Sequence, residues 1–249
     1  LSVFRYLNGI RSGTFVTTRS DFGTVSFVAT KSTPRPLPGR EQLPREFIVQ
    51  HQRARIIAAL SAEIAEKGYR NVTVAAIVKR ARIARGTFYE SFGSKDECFL
   101  AAQEYAMATA LERVVEAAGE VEGWPQRVRA GLTAFLEYVT EEPALASACM
   151  VEALAAGPAA LKCHEESQQA FISLFKVGRS VSPYEKDLPE TLEEAVIGGI
   201  FWIVYQRLVR GSTEEIPGLL PEIVEFSLVP YLGPKAAREI ALGAAESVR

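Results

Sequence analysis

Arg82, Arg85, Thr87, Tyr89 and Lys95 bring three cations and two hydroxyls into one short stretch. That mixture suits phosphate oxygens. The cations neutralise backbone charge, and the hydroxyls position a nucleic acid without reading its sequence. A second set of reactive types, Cys149, Glu152 and His164, would supply a nucleophile, an orienting carboxylate and a base for covalent catalysis. Nothing in its spacing fixes a mutual geometry, and no phosphate loop or metal-ligand spacing accompanies it. Three cysteines (Cys98, Cys149, Cys163) and two histidines (His51, His164) make neither a disulfide framework nor a zinc site. The chain is read as a non-enzyme without cofactor or metal.

The basic-hydroxyl stretch needs helices to present it, and the apolar spacing predicts them. Ile56, Leu60 and Ile64 lie four apart, with Gly68 placed to stop that helix. Asn71 and Thr73 can cap the next, in which Val74, Ile77, Val78 and Ala81 follow helical periodicity. After Arg82-Ile83, a third short helix has Ala84, Phe88 and Phe92 on one face, turned to the core. Ser94-Lys95-Asp96-Glu97 resembles a capping box that opens a long helix to about Ala118. Two short helices joined by a tight turn expose the N-terminal part of the second, which fits a major groove. Arg85 then sits within reach of a base edge or a phosphate, and Gly86 lets the helix approach closely. Thr73 and Lys95 begin helices whose free N–H groups attract phosphate. Glu90 is the exception in this surface. It either reads a cytosine N4, repels phosphate, or is solvated and paired with a nearby Arg.

The predicted fold is all-α: an N-terminal three-helix DNA-binding domain with a helix-turn-helix, then a larger helical bundle. Residues 1–44 are an extension, in which 1–30 hold two alternating runs that form a hairpin or no ordered structure. Residues 33–44 are a Pro-rich arm made basic by Arg35 and Arg40, with Arg45 following. Residues 45–95 form the DNA-binding domain and 96–249 the bundle. In the bundle, apolar stripes mark helices at 128–139, 145–154, 158–177, 190–210 and 216–229, the last ending before Pro230, and a weak tail helix covers 234–247. The 190–210 helix is apolar over much of its circumference and needs burial on more than one side. Gly198 and Gly199 allow close helix approach there, to a partner or within the chain.

Gly68-Tyr69, Thr73-Val74, Ile77-Val78, Gly86-Thr87-Phe88-Tyr89, Phe92 and Ser94-Lys95 resemble the TetR family of bacterial regulators over about Arg45 to Ala102. The usual Ala-Gly-Val-Ser of the turn is here Ala81-Arg82-Ile83-Ala84. Arg82 thus replaces a glycine that tolerates positive φ, and Ala84 a serine that would cap the recognition helix. The resemblance implies a homodimer, joined through about 190–210 and 216–229, that binds palindromic double-stranded operator DNA. It also implies release by an unidentified small-molecule effector, with repression the commoner behaviour. Arg45, Thr73, Arg82, Arg85, Gly86, Thr87, Tyr89 and Lys95 are the DNA-binding candidates. Phe135, Tyr138, Cys149, Met150, Gln168 and Phe171 are the candidate effector-lining groups, whereas His164 and Glu165-Glu166 are read as a solvated helix face.

Composition agrees with this division. Hydrophobic residues make up 48% of the 249, enough to bury a core, and charged residues 23%. Residues 1–95 hold 16 Lys/Arg against 6 Asp/Glu, a balance of +10. Residues 96–249 hold 12 against 24, a balance of −12. One half is therefore suited to a polyanion and the other is not. No apolar run is long enough to span a bilayer or act as a signal peptide, so no membrane association and a cytoplasmic location are expected. The alternative is a helical interaction protein of the same fold that has lost DNA binding.

Overall fold

Ten α-helices and no strand make up the described residues of a computed structural model. It describes residues 45–153 and 155–243, and of 45–48 only the backbone. The hairpin and basic arm expected within 1–44, the side chain of Arg45, and the end of the tail helix lie outside the described residues. From Gln52 onward the chain forms one compact unit.

The first helix, α1 (Arg45–Lys67), buries Ile56, Leu60 and Ile64, and its stripe ends at Gly68, whose φ is +74°. A 3-10 turn at Tyr69–Asn71 leads to α2 (Val74–Ala81), α3 (Arg85–Ser91) and α4 (Lys95–Gly119). The remaining helices are α5 (Trp124–Glu141), α6 (Pro143–Val151), α7 (Pro158–Lys176), α8 (Leu192–Arg210), α9 (Leu220–Leu232) and α10 (Pro234–Ala241). Pro125, Pro143, Pro158, Pro221 and Pro234 open α5, α6, α7, α9 and α10. At those first positions the missing N–H costs nothing and the fixed φ suits the helix.

Two hydrophobic clusters organise these helices, and α4 contributes to both. One joins Ile56, Leu60, Ile77, Phe88 and Phe92 to Cys98, Phe99 and Ala102 of α4, and continues into Leu145, Ala148, Cys149 and Ala160 of α6 and α7. The other joins Ala110 and Val114 of α4 to α5, α7, α8, α9 and α10. At 25 residues α4 is about 37 Å long, so it runs from the first cluster into the second as one continuous helix.

Three expectations are corrected here. α9 continues to Leu232 through Pro230 rather than ending before it. Pro230 lies in the last turn, where it removes one hydrogen bond at the helix end, and the fully buried Tyr231 beside it anchors that turn. Ala84 is exposed and does not share the core face of Phe88 and Phe92, because it stands before the helix in extended backbone (φ −74°, ψ 152°). His164 is not on a solvated face: it is half-buried, its ring 5.9 Å from that of Phe201. The alternatives for the glycine pair separate. A Cβ on Gly199 would fall 2.8 Å from Phe226 of α9, an intramolecular crossing, whereas Gly198 is exposed with nothing within 4 Å.

Candidate nucleic-acid interface

The two helices of the helix-turn-helix are joined by a paired-bond C-terminal motif. The Arg82 N–H donates to the Lys79 carbonyl (3.3 Å) and the Ile83 N–H to the Val78 carbonyl (3.1 Å). Ile83 and Val78, the two positions that this motif brings together, both pack on the first cluster. The motif requires a left-handed residue at its centre, and Arg82 occupies that place with φ 52° and ψ 50°. It is the only non-glycine with positive φ among the described residues. A side chain there costs roughly 1–2 kcal/mol. Ala84 follows as the N-cap of α3 with no side-chain cap bond. The neighbouring starts are capped: Thr73 Oγ1 accepts from Ala76 N (3.2 Å), and Ser94 Oγ from Glu97 N (3.0 Å). The Glu97 carboxylate accepts in turn from Gly93 N (2.8 Å), one residue before the place a capping box uses.

A helix of seven residues with no side-chain N-cap has no stability of its own, and its position comes from tertiary contacts. Phe88 and Phe92 are 0% and 1% exposed. Arg53 of α1 donates to the Ser91 carbonyl at the C-terminus of α3 (2.7 Å) and lies 4.2 Å over the Phe92 ring. Arg55 does the same for α2, donating to Ala81 O at 2.5 Å. Two arginines of one helix therefore cap both helices of the motif, each a cation at a negative helix end. Sequence reasoning missed them. The only signal was an Arg-X-Arg pair just ahead of the α1 stripe.

With Phe88 and Phe92 turned inward, Arg85, Gly86, Tyr89 and Glu90 are exposed and Thr87 is half-buried. A Cβ on Gly86 would meet nothing within 4 Å, so this surface is open. The Arg85 guanidinium lies 5.6 Å from the Tyr89 ring centre and donates to its hydroxyl at 3.4 Å. That contact pushes the guanidinium pKa further up and keeps the charge. Glu90 takes part in no ion pair among the described residues, so the expected Arg partner is not there.

Tyr69 ties the turn before α2 to both α4 and α6. Its ring packs on Phe99 (4.8 Å between centroids) and under the Lys95 ammonium (4.0 Å), and its hydroxyl donates to Asp96. Burial, then the Asp96 carboxylate, push the phenol pKa well up. The Lys95 ammonium also donates to the carbonyls of Tyr69 (2.9 Å) and Val72 (3.2 Å). Its charge is thus engaged inside the fold. The Tyr69 N–H donates to Glu152, just past the end of α6 (3.0 Å). Arg80 bridges Glu63 (2.6 Å) and Glu66 (2.5 Å) of α1.

Glu152 is thus occupied with Tyr69. The half-buried His164 ring meets Gln168 (3.3 Å) and Phe201, and burial lowers its pKa. Cys149 is 3% exposed, and burial pushes its thiol up, away from the reactive thiolate. Each of the three thus has a separate environment: Glu152 is bonded to Tyr69, His164 meets Gln168 and Phe201, and Cys149 is buried.

Of the effector candidates, Phe135 and Phe171 meet at 5.8 Å between ring centroids, each also against Phe201 (5.7 and 5.9 Å). Met150 packs on this cluster. Gln168 adjoins it through His164, whereas Cys149 belongs to the cluster shared with the helix-turn-helix. Tyr138 is 5% exposed, and its hydroxyl has no hydrogen-bond partner among the described residues. The same is true of Oε1 of Gln103, whose Nε2 donates to Ala160 O at 3.3 Å.

Residues 56–102 match the family described as bacterial regulatory proteins, tetR family. Over 131 residues, 52% of the chain, it is 30% identical to an uncharacterized HTH-type transcriptional regulator of Mycobacterium bovis. It spans 59% of the length of that relative and of its Mycobacterium tuberculosis counterparts. Among solved structures it superposes on a fatty acid degradation regulator, FadR, from Bacillus halodurans (TM-score 0.64, 16% identity, 77% of this chain and 97% of that one). It also superposes on a gamma-butyrolactone receptor (TM-score 0.60, 18% identity, 79% and 97%). A third is FadR from Bacillus subtilis, solved in complex with stearoyl-CoA (TM-score 0.58, 17% identity, 72% and 98%). At these identities the structures show the fold, a helix-turn-helix domain followed by a helical domain.

Proposed function

We propose, on the premise that this chain belongs to the tetR family of bacterial regulatory proteins through its residues 56–102, that it is a ligand-responsive transcriptional repressor. It binds a palindromic operator as a homodimer and is released by a small molecule. Residues 45–95 form the reading head and 96–249 the effector and dimerisation domain. The observation that carries DNA binding is the exposed face of α3, with Arg85, Gly86, Thr87 and Tyr89 turned away from the buried Phe88 and Phe92. Arg85 reads a base edge, and the hydroxyls of Thr87 and Tyr89 hold phosphates. Thr73 and Lys95 flank it at helix starts, and Arg45 lies at the N-terminus of α1.

Dimerisation through α8 and α9 is supported by their exposed apolar residues. Trp202 is 60% exposed and stacked on Tyr205, and Val209, Phe226 and the open Gly198 accompany it. A soluble monomer rarely leaves such a patch uncovered. Effector response is supported by the unpartnered Tyr138 and Gln103 atoms. Each costs about 1–3 kcal/mol when buried alone, and a ligand placed between α4, α5 and α7 would offset that. The effector shifts the head only by binding one state more tightly.

The test is salt-dependent binding of the full chain to duplex DNA. A clear negative slope of log affinity against log salt is expected, and a slope near zero removes the reading. Tyr89→Phe weakens binding to all sequences, whereas Arg85→Ala also relaxes base preference. If neither changes operator affinity, α3 is not the reading helix.

A further inference from the structure

Within the reading end, most cations with a described side chain have internal work. Arg53 and Arg55 cap helices, Arg80 holds two carboxylates, and Lys95 holds two carbonyls. Arg82 does not. It is exposed, and no hydrogen bond or ion pair among the described residues uses its guanidinium. It nevertheless stands where the turn demands a left-handed residue, a place that glycine fills without strain. A strained residue whose side chain makes no hydrogen bond or ion pair among the described residues points to function. Exposed Lys79 and Arg85 flank it, and α3 begins three residues later.

On the proposal that α3 reads DNA, we infer that Arg82 is a phosphate-binding residue of the interface whose left-handed strain is retained for that contact. The turn between α2 and α3 carries it against the DNA backbone as the reading helix enters the groove. Its guanidinium adds a salt-sensitive contact without sequence preference.

The prediction is a trade of opposite signs. Arg82→Gly relieves the strain but lengthens the list of unfolded conformations, leaving a net rise in Tm of about 2–4 °C. The same substitution lowers the salt slope by about 0.9, which at ~0.1 M salt is roughly eightfold weaker binding. Arg82→Asn, which also tolerates the left-handed region, gives the same slope loss, and Arg82→Lys keeps the slope with an unchanged Tm. The assay is fluorescence anisotropy of the full chain with a labelled duplex of arbitrary sequence across a salt series, beside thermal unfolding. An unchanged slope in Arg82→Gly and Arg82→Asn overturns the inference. So does a fall in Tm for Arg82→Gly, because the guanidinium would then be holding the fold. A wild-type slope of zero is a separate result, and it removes the DNA-binding reading itself.

Discussion

Arg53 is half-buried against α3, and the position of that helix, the proposed reading helix, rests on it. Its Nη1 donates to the last carbonyl of α3 at 2.7 Å, and its guanidinium lies 4.2 Å over Phe92. A charged hydrogen bond of this kind contributes about 1.5–3 kcal/mol and a cation–π contact about 0.5–2. Because Arg53 is only half-buried, a joint loss near 2 kcal/mol is the reasonable estimate for Arg53→Ala. α3 has no N-terminal side-chain cap to compensate. The folded variant therefore melts roughly 4–8 °C lower. If half or all of the loss must be restored when the helix docks, duplex affinity falls between about 5- and 30-fold.

The salt series separates this from a lost contact. A residue that positions the helix shifts the line of log affinity against log salt in parallel, whereas a phosphate contact reduces its slope by about 0.9. Arg53→Ala is expected to give the parallel shift. Arg53→Lys, with charge but no planar fork, recovers part of it. Unchanged affinity in Arg53→Ala would refute the positioning argument, and a reduced slope would make Arg53 a direct contact.

Two further outcomes follow from the body. Trp202→Glu puts a charge in the exposed patch of α8 and weakens the proposed dimer at least about 30-fold, as loss of a hot-spot residue does. Sedimentation should then find monomer with an unchanged far-ultraviolet spectrum, and a persisting dimer places the interface elsewhere. Glu193, 1% exposed, accepts from Arg179 (2.8 and 2.9 Å) and from the Tyr231 hydroxyl (2.9 Å). Burial pushes its carboxyl up, but these hydrogen bonds outweigh burial and hold it below the usual 4.5. A lowered folded pKa contributes stability above the unfolded value, and that stability is lost as pH falls through the folded one. Glu193→Gln should thus cost about 3 kcal/mol at neutral pH, with the gap to wild type closing below about pH 4. A gap that stays the same from about pH 7 down to about pH 2.5 rejects the assignment.

Legibility in the sequence followed the range of the interaction. Thr73 and Ser94 were readable as caps because an N-cap bond closes within three residues. The strained Arg82 and the capless Ala84 were legible only through the family resemblance, as departures from its usual turn residues. The caps supplied by Arg53 and Arg55 reach across 38 and 26 residues, and no periodicity announces them. The half-buried His164 was misread because its neighbours Glu165 and Glu166 are exposed, and only the ring of Phe201 from α8 decides which way it turns. Gly198 and Gly199 looked equivalent until Phe226 claimed one of them.

The charge division was legible too, but its meaning changes with the contacts. Sixteen cations in residues 1–95 suggest a steep salt dependence. Arg53, Arg55, Arg80 and Lys95 are each satisfied by carbonyls or carboxylates, and counterions are released only by cations that neutralise phosphate. Among the described residues the outward set at the turn contracts to Lys79, Arg82 and Arg85. The slope set by this surface should be shallow, so that loss of a single arginine from it is a measurable fraction of the whole.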